Sequence, residues 1–366
     1  MTELTFNPAR LTLARCRRGL TKVALANQVG LSARRIAAFE NEGDLPPAST
    51  IQALAESLGF PQSFFFRPAP PLPSPHGVSF RSLSRLPATR RDAALAAAAI
   101  AIEITQLMET QFQLPYPDLL DLRNVEPATA ALALRAAWGL GDDPTPNVIH
   151  LLESHGVRVF SLTDDCAALD SFSLWHEGTP FVFLTRHKSA ERGRWDTAHE
   201  LAHLILHISE RRPQGREQEL EADAFAAEFL LPEKGIRSSA ARFTSLVEVK
   251  REKRLWRVSA LAYIRRLHQL RLVTDWQYRS LVVEASQAGY RRQEGDIEYE
   301  WSQLIPKVLD LLEEEGGSLA QLSNELGVSA IELRGFLFSR LSVIDGAGNT
   351  RPIRPSRLRV LGSPQS

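Results

Sequence analysis

Residues 195–207 read WDTAHELAHLILH, a helical pattern with apolar flanks that contains an HExxH string. His199 and His203 are four residues apart, so on an α-helix they lie on one face, about one turn from each other. Both imidazoles can therefore reach a single zinc ion, and the neighbouring Glu200 can act on a water molecule without binding the metal itself. The stretch predicts a helix-borne zinc site with Glu200 as its catalytic residue. Two histidines without a metal are the alternative.

A catalytic zinc needs a third protein ligand, and the next predicted helix, EQELEADAFA from Glu217, offers three glutamates. His207 is excluded as that ligand, because it lies eight residues after the first histidine, about 12 Å further along the same helix. Glu219 and Asp223 share a face, so Glu219 is predicted to bind zinc while Asp223 holds a ligand histidine through its outer nitrogen. Glu221 points about 200° away from Glu219, which predicts a solvated position for it and for Glu217.

Residues 20–32 read LTKVALANQVGLS, the pattern of a helix, a left-handed glycine and a cap for a second helix. The first helix is predicted to end at Val29, because Gly30 favours the left-handed conformation that terminates helices. Ser32 can cap the second helix, which is predicted to run to Glu40. The spacing of these elements predicts a helix-turn-helix.

The second helix is predicted to enter a DNA major groove, where the N-terminal residues of such a helix meet base edges. Arginine is the commonest bidentate reader of guanine, and a lysine can contact a phosphate. Residues 1–67 hold eight Lys/Arg against five Asp/Glu, a modest positive charge. A domain that binds protein or only dimerises is the alternative. The predicted DNA contacts are Lys22, Ser32, Ala33, Arg34 and Arg35.

Composition excludes several other classes of protein. The 366 residues carry 43 Lys/Arg and 43 Asp/Glu, so the whole chain has no net attraction to nucleic acid and any basic surface must be local. Only two cysteines are present, which is typical of the reducing cytoplasm. The alanine-rich run at 93–102 follows Arg91 and Asp92 and ends at Glu103. It is too short and too flanked by charge to span a membrane, so a buried helix and no membrane partner are predicted.

The sequence predicts a mainly α (α+β) protein with four regions. Residues 1–67 form the helix-turn-helix domain, and residues 68–140 form a proline linker and a helical connector. Residues 141–235 are predicted to form a zincin-like domain with a small three-stranded sheet. Residues 236–366 are predicted to be a helical C-terminal region.

The C-terminal region contains a second helix-turn-helix-like pattern. LSNELGVS at 322–329 echoes LANQVGLS at 25–32. The helix that follows begins AIEL, which is apolar and acidic, whereas a surface that faces phosphates should be basic. The composition therefore favours packing or dimerisation over DNA contact for this unit.

Residues 10 to 66 resemble the XRE (Cro/C1-type repressor) family of DNA-binding domains. Lys22 departs from the glutamine that is often found at its position in that family. The resemblance implies binding to a double-stranded operator, with a homodimer matching two half-sites. The positions that carry the resemblance are Thr21, Leu25, Ala26, Gly30, Ser32, Ile36, Glu40 and Gly43.

Residues from about 145 to 235 resemble the ImmA/IrrE-type metallopeptidase domain, whose signature is a short sheet, an HExxH helix and a later helix reading E-x-x-A-D/N-x-F-A. The resemblance implies Glu219 as the third zinc ligand, in agreement with the helix-face argument. Ala202 replaces a common glycine, and Asp196 and Thr185 also depart from the family pattern. The second block here is Glu219, Ala222, Asp223, Phe225 and Ala226, followed by Leu230, Leu231 and Pro232.

The two resemblances together imply a cytoplasmic transcriptional regulator with a zinc-dependent endopeptidase domain. The family implies cleavage of a repressor or antitoxin-like partner, or of the chain itself, in a stress response. The sequence leaves two alternatives open. One is a repressor whose peptidase-like domain senses zinc, a ligand or a partner without proteolysis, and the other is a peptidase whose N-terminal module only recruits a protein. Substrate is expected to pair with an exposed strand edge near residues 181–184, and the sequence assigns no second oxyanion donor.

Overall fold

The computed structural model describes residues 5–71, 73, 87–162, 171–185, 188–207, 215–239, 245–291, 294–295, 297–337 and 359–360. Helices dominate these residues and a mixed three-stranded sheet lies among them, which confirms the predicted mainly α (α+β) class. Residues 72 and 74–75 of the predicted proline linker lie outside the described residues, and the four domain boundaries stay predictions.

The second and third of the N-terminal helices each begin at a side-chain cap, one of which, Ser32, was predicted. Thr21 accepts a hydrogen bond from the amide of Ala24 at 3.0 Å, and Ser32 accepts one from the amide of Arg35 at 3.2 Å. Each cap satisfies an amide that the first turn of a helix leaves unpaired. Gly30 forms the turn between them with a φ of 68°. The helices are α1 (Pro8–Arg17), α2 (Lys22–Gln28), α3 (Ala33–Ala37) and α4 (Ala48–Leu58).

The second helix of the helix-turn-helix, which was predicted to run from Ser32 to Glu40 and is called the recognition helix below, is not a regular α-helix over its predicted length. After α3 the chain continues as a π-helical stretch, Ala38–Glu42, which ends at Gly43 with a φ of 72°. A 3₁₀ turn at Gln62–Phe66 follows α4 and closes the domain. The regular part of the recognition helix is therefore its N-terminal part, which carries the predicted base contacts.

A long alanine-rich helix, α5 (Ala88–Gln111), forms the centre of the first hydrophobic core. Among the described helices, α5 is the one whose length and composition would allow it to cross a membrane. However, 67% of its most apolar stretch is buried inside the protein. The helix is longer than the alanine run that defined it in the sequence, so the argument from shortness is wrong. The predicted burial is confirmed, because most of the residues between Ala93 and Ile102 are buried in the first core. Their small side chains let neighbouring elements approach the helix closely.

The sheet has the order β2–β4–β3, with β2 (Arg158–Leu162) parallel to β4 (Thr179–Thr185) and β3 (Phe172–His176) antiparallel to it. The three predicted strands are confirmed. The predicted substrate edge at 181–184 is wrong, because those residues belong to the central strand and are paired on both sides. Among the described strands, β2 and β3 form the edges of this sheet.

Alternation along the strands sends side chains to two different cores. Phe160, Phe172 and Phe183 face the first core, which they share with α5 and the helix-turn-helix domain. Val159 and Val182 face the second core, which they share with the HExxH helix. The sheet therefore separates the helix-turn-helix domain from the HExxH helix, as period-two alternation requires.

The second core is built by helices on both sides of the HExxH segment in the chain. Before the sheet lie α6 (Pro127–Ala137) and α7 (Val148–Ser154), and after it come α8 (Ala190–Leu206) and α9 (Arg216–Leu230). The next helices are α10 (Glu233–Ser239), α11 (Leu246–Trp256), α12 (Ala260–Gln269) and α13 (Asp275–Gln287). A separate two-stranded ladder pairs β1 (Phe112–Gln113) with β5 (Arg359–Val360).

The last helices return to the first core: α14 (Leu304–Glu314), α15 (Leu319–Leu326) and α16 (Ala330–Phe336). Glu153 of α7 links them to the helices of the second core. Its carboxyl group accepts hydrogen bonds from the amides of Gln303 at 2.9 Å and Leu304 at 3.1 Å, and from the Ser302 hydroxyl. A fully buried side chain thus caps the first turn of α14.

The second helix-turn-helix-like unit, α15 and α16, packs against the first. Glu332 of α16 pairs with Arg17, the last residue of α1, and with Arg18, which follows it, each at 2.7 Å. Gly327, between α15 and α16, lies so close to Arg67 that an added Cβ would stand 2.9 Å from the Arg67 Cδ. These contacts agree with the predicted packing role of this unit.

Candidate metal centre

The HExxH helix is α8, and it presents its two histidines on one face. Ser189 caps its first turn by accepting a hydrogen bond from the amide of Arg192 at 3.2 Å. On the opposite face Leu201 and Ile205 are fully buried in the second core. Because that packing fixes the rotation of α8, the Nε2 atoms of His199 and His203 come within 3.2 Å of each other, as the i, i+4 spacing predicts.

Glu219, in the first turns of α9, completes a three-residue group. Its carboxylate oxygens lie 3.7 Å from the Nε2 of His199 and 3.8 Å from the Nε2 of His203. One donor atom from each of the three residues lies within 4.8 Å of the others, so the group could hold a metal ion. Two imidazoles and one carboxylate are a donor set that suits zinc and leaves a coordination position open.

Asp223 lies behind His199, as the helix-face argument predicts. Its Oδ1 stands 3.2 Å from the Nδ1 of His199, and it also accepts a hydrogen bond from the indole of Trp195 at 3.4 Å. Burial lowers the pKa of His199, but the hydrogen bonds to Asp223 and Glu219 outweigh burial and raise that pKa to about 10. The carboxylates around His199 therefore favour positive charge at the point where a cation would bind.

Trp195 was not found from the sequence, although it lies only four residues before the first histidine. Its position at i−4 places its ring over the same face of α8 as His199. The spacing of four residues between Trp195 and His199 could have indicated this role, since a buried indole N–H usually donates to a nearby acceptor.

Glu200 is buried, with 4% of its surface exposed, and it is held by a partner that the sequence did not indicate. The Ser173 hydroxyl of β3 donates a hydrogen bond to the Oε2 of Glu200 at 2.8 Å. Ser173 lies between Phe172 and Leu174, which face the first core, so strand alternation directs the serine towards α8. A polar residue at an inward position of a strand was the available signal.

His207 lies outside the three-residue group, which agrees with its exclusion as a ligand. It contacts His203 instead, with the two Nδ1 atoms 2.8 Å apart. Its Nε2 lies 3.0 Å from the Oε2 of Glu221. The predicted solvated position of Glu221 holds only in part, since its side chain is 32% exposed. The rotation of α9 that brings Glu219 to the metal site also brings the Glu221 carboxylate over the end of α8. Glu217 is exposed, as predicted.

Asp196, which departs from the family pattern, binds two cations beside the site. Its carboxylate lies 2.6 Å from the Lys188 Nζ and 3.0 Å from the Arg192 Nε. The Tyr299 hydroxyl donates a hydrogen bond to the carbonyl of Lys188. Asp196 therefore holds the start of α8 in place. Thr185, the other departure, is buried at the end of β4.

Four of the five predicted DNA contacts, residues 32–35, lie at the start of α3, and they differ in how many partners they have within the chain. Arg34 is exposed and has no partner among the residues that the structure describes. Arg35 is also exposed but pairs with Asp44 at 2.7 Å and stacks over the Phe39 ring at 4.6 Å. Ala33 is half-buried, and the hydroxyl of Ser32 is engaged in capping.

Lys22 and most other cations of the helix-turn-helix domain have partners inside the chain. The Lys22 Nζ lies 3.4 Å from a carboxylate oxygen of the buried Glu40, which also binds Arg15 at 2.6 Å. Seven of the eight basic side chains at 5–67 are held in this way. They are Arg10 with Glu103, Arg15 and Lys22 with Glu40, Arg17 and Arg18 with Glu332, Arg35 with Asp44, and Arg67 with the carbonyl of Glu325.

Comparison with known families finds two matches along the chain. Residues 11–61 match the family described as Helix-turn-helix, and residues 152–268 match the family described as IrrE N-terminal-like domain, a peptidase family of the M78 type. The second match contains α8 and α9 and continues into α12. No curated protein matches the chain. The chain therefore carries an XRE-type helix-turn-helix domain at its N-terminus, followed by an M78-type, IrrE N-terminal-like domain that contains the His199–His203–Glu219 group.

Proposed function

We propose that the protein is a cytoplasmic DNA-binding regulator whose second domain is a zinc-dependent endopeptidase with a narrow protein target. The observation that carries this proposal is the convergence of His199, His203 and Glu219 beside the buried carboxylate of Glu200. Proximity to a helix-turn-helix domain in the same chain favours a repressor or antitoxin-like substrate, or the chain itself, and a role in a stress response. A homodimer would match two operator half-sites.

In this proposal His199, His203 and Glu219 hold the metal, and Asp223 fixes the ring of His199. Zinc, when bound, supplies a Lewis acid that polarises the scissile carbonyl and lowers the pKa of a water molecule to about 7. Glu200 takes a proton from the attacking water and passes it to the leaving amine. The hydrogen bond that the Ser173 hydroxyl donates to Oε2 fixes the orientation of this carboxylate.

An extended peptide substrate would pair along the edge of β3. This strand is an edge strand among the described residues, and its Ser173 touches Glu200, so a peptide paired along β3 would run past the catalytic carboxylate. Main-chain hydrogen bonds would hold such a peptide in extended form. This arrangement replaces the edge at 181–184 that the sequence suggested.

A second candidate function, sensing without proteolysis, is supported by the packing of the sheet. One face of the sheet shares a core with the helix-turn-helix domain, and the other shares a core with α8. A change at the metal site therefore has a short path to the DNA-binding domain. In that case zinc, a ligand or a partner would alter DNA binding directly.

The test compares the wild-type protein with Glu200→Gln. Bound zinc is measured first, and both proteins are then incubated with a proteome-derived peptide library and by themselves, with products identified by mass spectrometry. We expect equal zinc content and a loss of cleavage of about 10²-fold or more in the variant, the usual contribution of a general base. A zinc-loaded wild type that cuts neither the peptides nor itself would contradict the endopeptidase and favour sensing.

A further inference from the structure

A chain of three side chains runs from one side of the metal centre to the surface of α9. The Nδ1 of His203 lies 2.8 Å from the Nδ1 of His207, and the Nε2 of His207 lies 3.0 Å from the Oε2 of Glu221. The two histidine side chains are 8% and 6% exposed, whereas that of Glu221 is 32% exposed. A buried pair of imidazoles thus ends at a carboxylate that reaches solvent.

The positions of the protons along this chain follow from its chemistry. The Nε2 of His203 faces Glu219 and the other ligand histidine, so it must carry a free electron pair to bind a metal. The proton of a neutral His203 then resides on Nδ1, which donates to the Nδ1 of His207. That nitrogen accepts, so the proton of His207 resides on Nε2 and is donated to the Glu221 carboxylate, which can only accept.

We infer that His207 and Glu221 act together as positioning residues for the zinc ligand His203. This inference rests on the proposed zinc site and extends it. Each ligand histidine then has its own support, directly from Asp223 for His199 and through an intervening imidazole for His203. Such outer partners fix the tautomer and the ring orientation of a ligand and raise its basicity.

The geometry argues against simple packing as the purpose of His207. An apolar residue would fill the space at the end of α8 without requiring a partner, whereas a buried imidazole needs hydrogen bonds at both nitrogens. Both nitrogens of His207 are within hydrogen-bonding distance of polar atoms, and one of those atoms belongs to a residue of the metal group. A packing role and a positioning role therefore predict different effects of polar and apolar substitutions.

The experiment measures zinc affinity by competition with a chromophoric chelator, in the full-length protein. His207→Leu and Glu221→Leu remove the acceptors, whereas His207→Asn keeps an oxygen near the place of Nδ1 and Glu221→Gln keeps an acceptor at the carboxylate. Glu217→Leu, on the same helix and exposed, is the matched control. The visible absorption spectrum of the Co²⁺-loaded protein reports ligand geometry independently, and circular dichroism checks that each variant folds.

We expect both leucine variants to bind zinc about 10–100-fold more weakly than the wild type and to shift the Co²⁺ spectrum. The polar variants and Glu217→Leu should stay close to the wild type. Wild-type affinity and an unchanged spectrum in both leucine variants would overturn the inference, and Glu221→Leu decides the matter if His207→Leu does not fold. A wild type that binds no zinc overturns the inference and the proposed function together. Weaker zinc binding in the leucine variants of a protein that cleaves nothing supports the inference alone.

Discussion

The metal centre and the helix-turn-helix domain use their charged side chains in opposite ways. At the metal centre, Glu219 and two histidines converge on one point, and further carboxylates orient the histidines from behind. In the helix-turn-helix domain, partners within the chain hold seven of the eight basic side chains at 5–67. Arg34 is left without a partner among the described residues. The metal centre directs its charged side chains towards one possible ligand position, whereas the helix-turn-helix domain pairs most of its basic side chains within the chain.

The difference shows that local residue spacing predicts a metal-binding geometry more completely than it predicts a DNA-binding surface. Metal affinity depends on a few atoms at fixed distances, which the i, i+4 spacing on α8 and one carboxylate of α9 provide. Affinity for DNA depends on the number of cations that reach phosphates, because each neutralised phosphate releases counterions. Partners within the chain engage seven of the eight basic side chains at 5–67, and three of the seven pair with α5 or α16. We therefore expect firm metal binding together with DNA binding that depends only weakly on salt.

The largest expected effect is at the metal centre. Glu219→Gln replaces an anionic ligand by a neutral one and should lower zinc affinity by about 10³-fold, since a few ligands share a zinc-binding free energy of roughly 10–16 kcal/mol. Glu217→Gln, two residues away on the exposed face of α9, should leave zinc affinity unchanged. Both are measured by chelator competition. Equal affinities in the two variants would remove Glu219 from the site.

The next effect concerns Glu153, which joins the helices of the second core to the helices that pack against the helix-turn-helix domain. Burial raises the pKa of this carboxyl group to about 7, although hydrogen bonds from Ser302, Gln303 and Leu304 oppose the rise. The folded state therefore holds a proton that the unfolded chain releases near pH 4.5. The contribution of Glu153 to the free energy of unfolding is fully present below pH 4.5. It decreases by about 3 kcal/mol as pH rises through 7.

Glu153→Gln keeps an acceptor for the two amides and carries no charge, so its stability should change less between pH 5 and pH 8. At pH 8 the variant should be the more stable protein. Urea unfolding at several pH values measures both quantities, with Glu313→Gln on the exposed side of α14 as the control. A wild-type slope in Glu153→Gln would show that other groups set the pH dependence of the link between the two regions.

The parts that the sequence predicted are those fixed by neighbours in the chain. Ser32 and Gly30 act through hydrogen bonds and φ angles within one turn, and Glu219 and Asp223 share a face because they are four residues apart. The pairing of His199 with His203 follows from the same helix geometry. Local spacing is enough for each of these, since no distant segment can change which residues of a helix lie on one face.

The parts that the sequence missed join distant segments. Ser173 reaches Glu200 across 27 positions, and Glu332 reaches Arg18 across 314. The central place of β4 in the sheet depends on strand order, which the alternation of side chains along one strand does not encode. Glu221 was missed for a related reason, because the contact depends on how far α9 is rotated against the end of α8.

The helix-turn-helix domain is tested by removing its free cation. Arg34→Ala should weaken binding to a duplex selected by the protein from a random library by about 1–3 kcal/mol, the usual cost of losing a bidentate base contact. Arg35→Ala should have a smaller effect, because Asp44 already neutralises that guanidinium. Fluorescence anisotropy measures both affinities. Unchanged binding by both variants would contradict the placement of α3 in the major groove.

The smallest expected effect is an increase in DNA affinity, whereas the arginine variants lower that affinity. Asp44→Asn removes the partner of Arg35, and both side chains are nearly half exposed, so the pair itself contributes less than about 1 kcal/mol to stability. The stacking of Arg35 over Phe39 stays and keeps the guanidinium near α3. DNA affinity should therefore rise several-fold, and its dependence on salt should steepen by up to about one counterion. Asp44→Asn combined with Arg35→Ala should lose this gain if Arg35 causes it. A gain that persists in the double variant would instead mean that Asp44 repels the phosphates directly, so that Arg35 faces away from the DNA and Arg34 alone reads the groove.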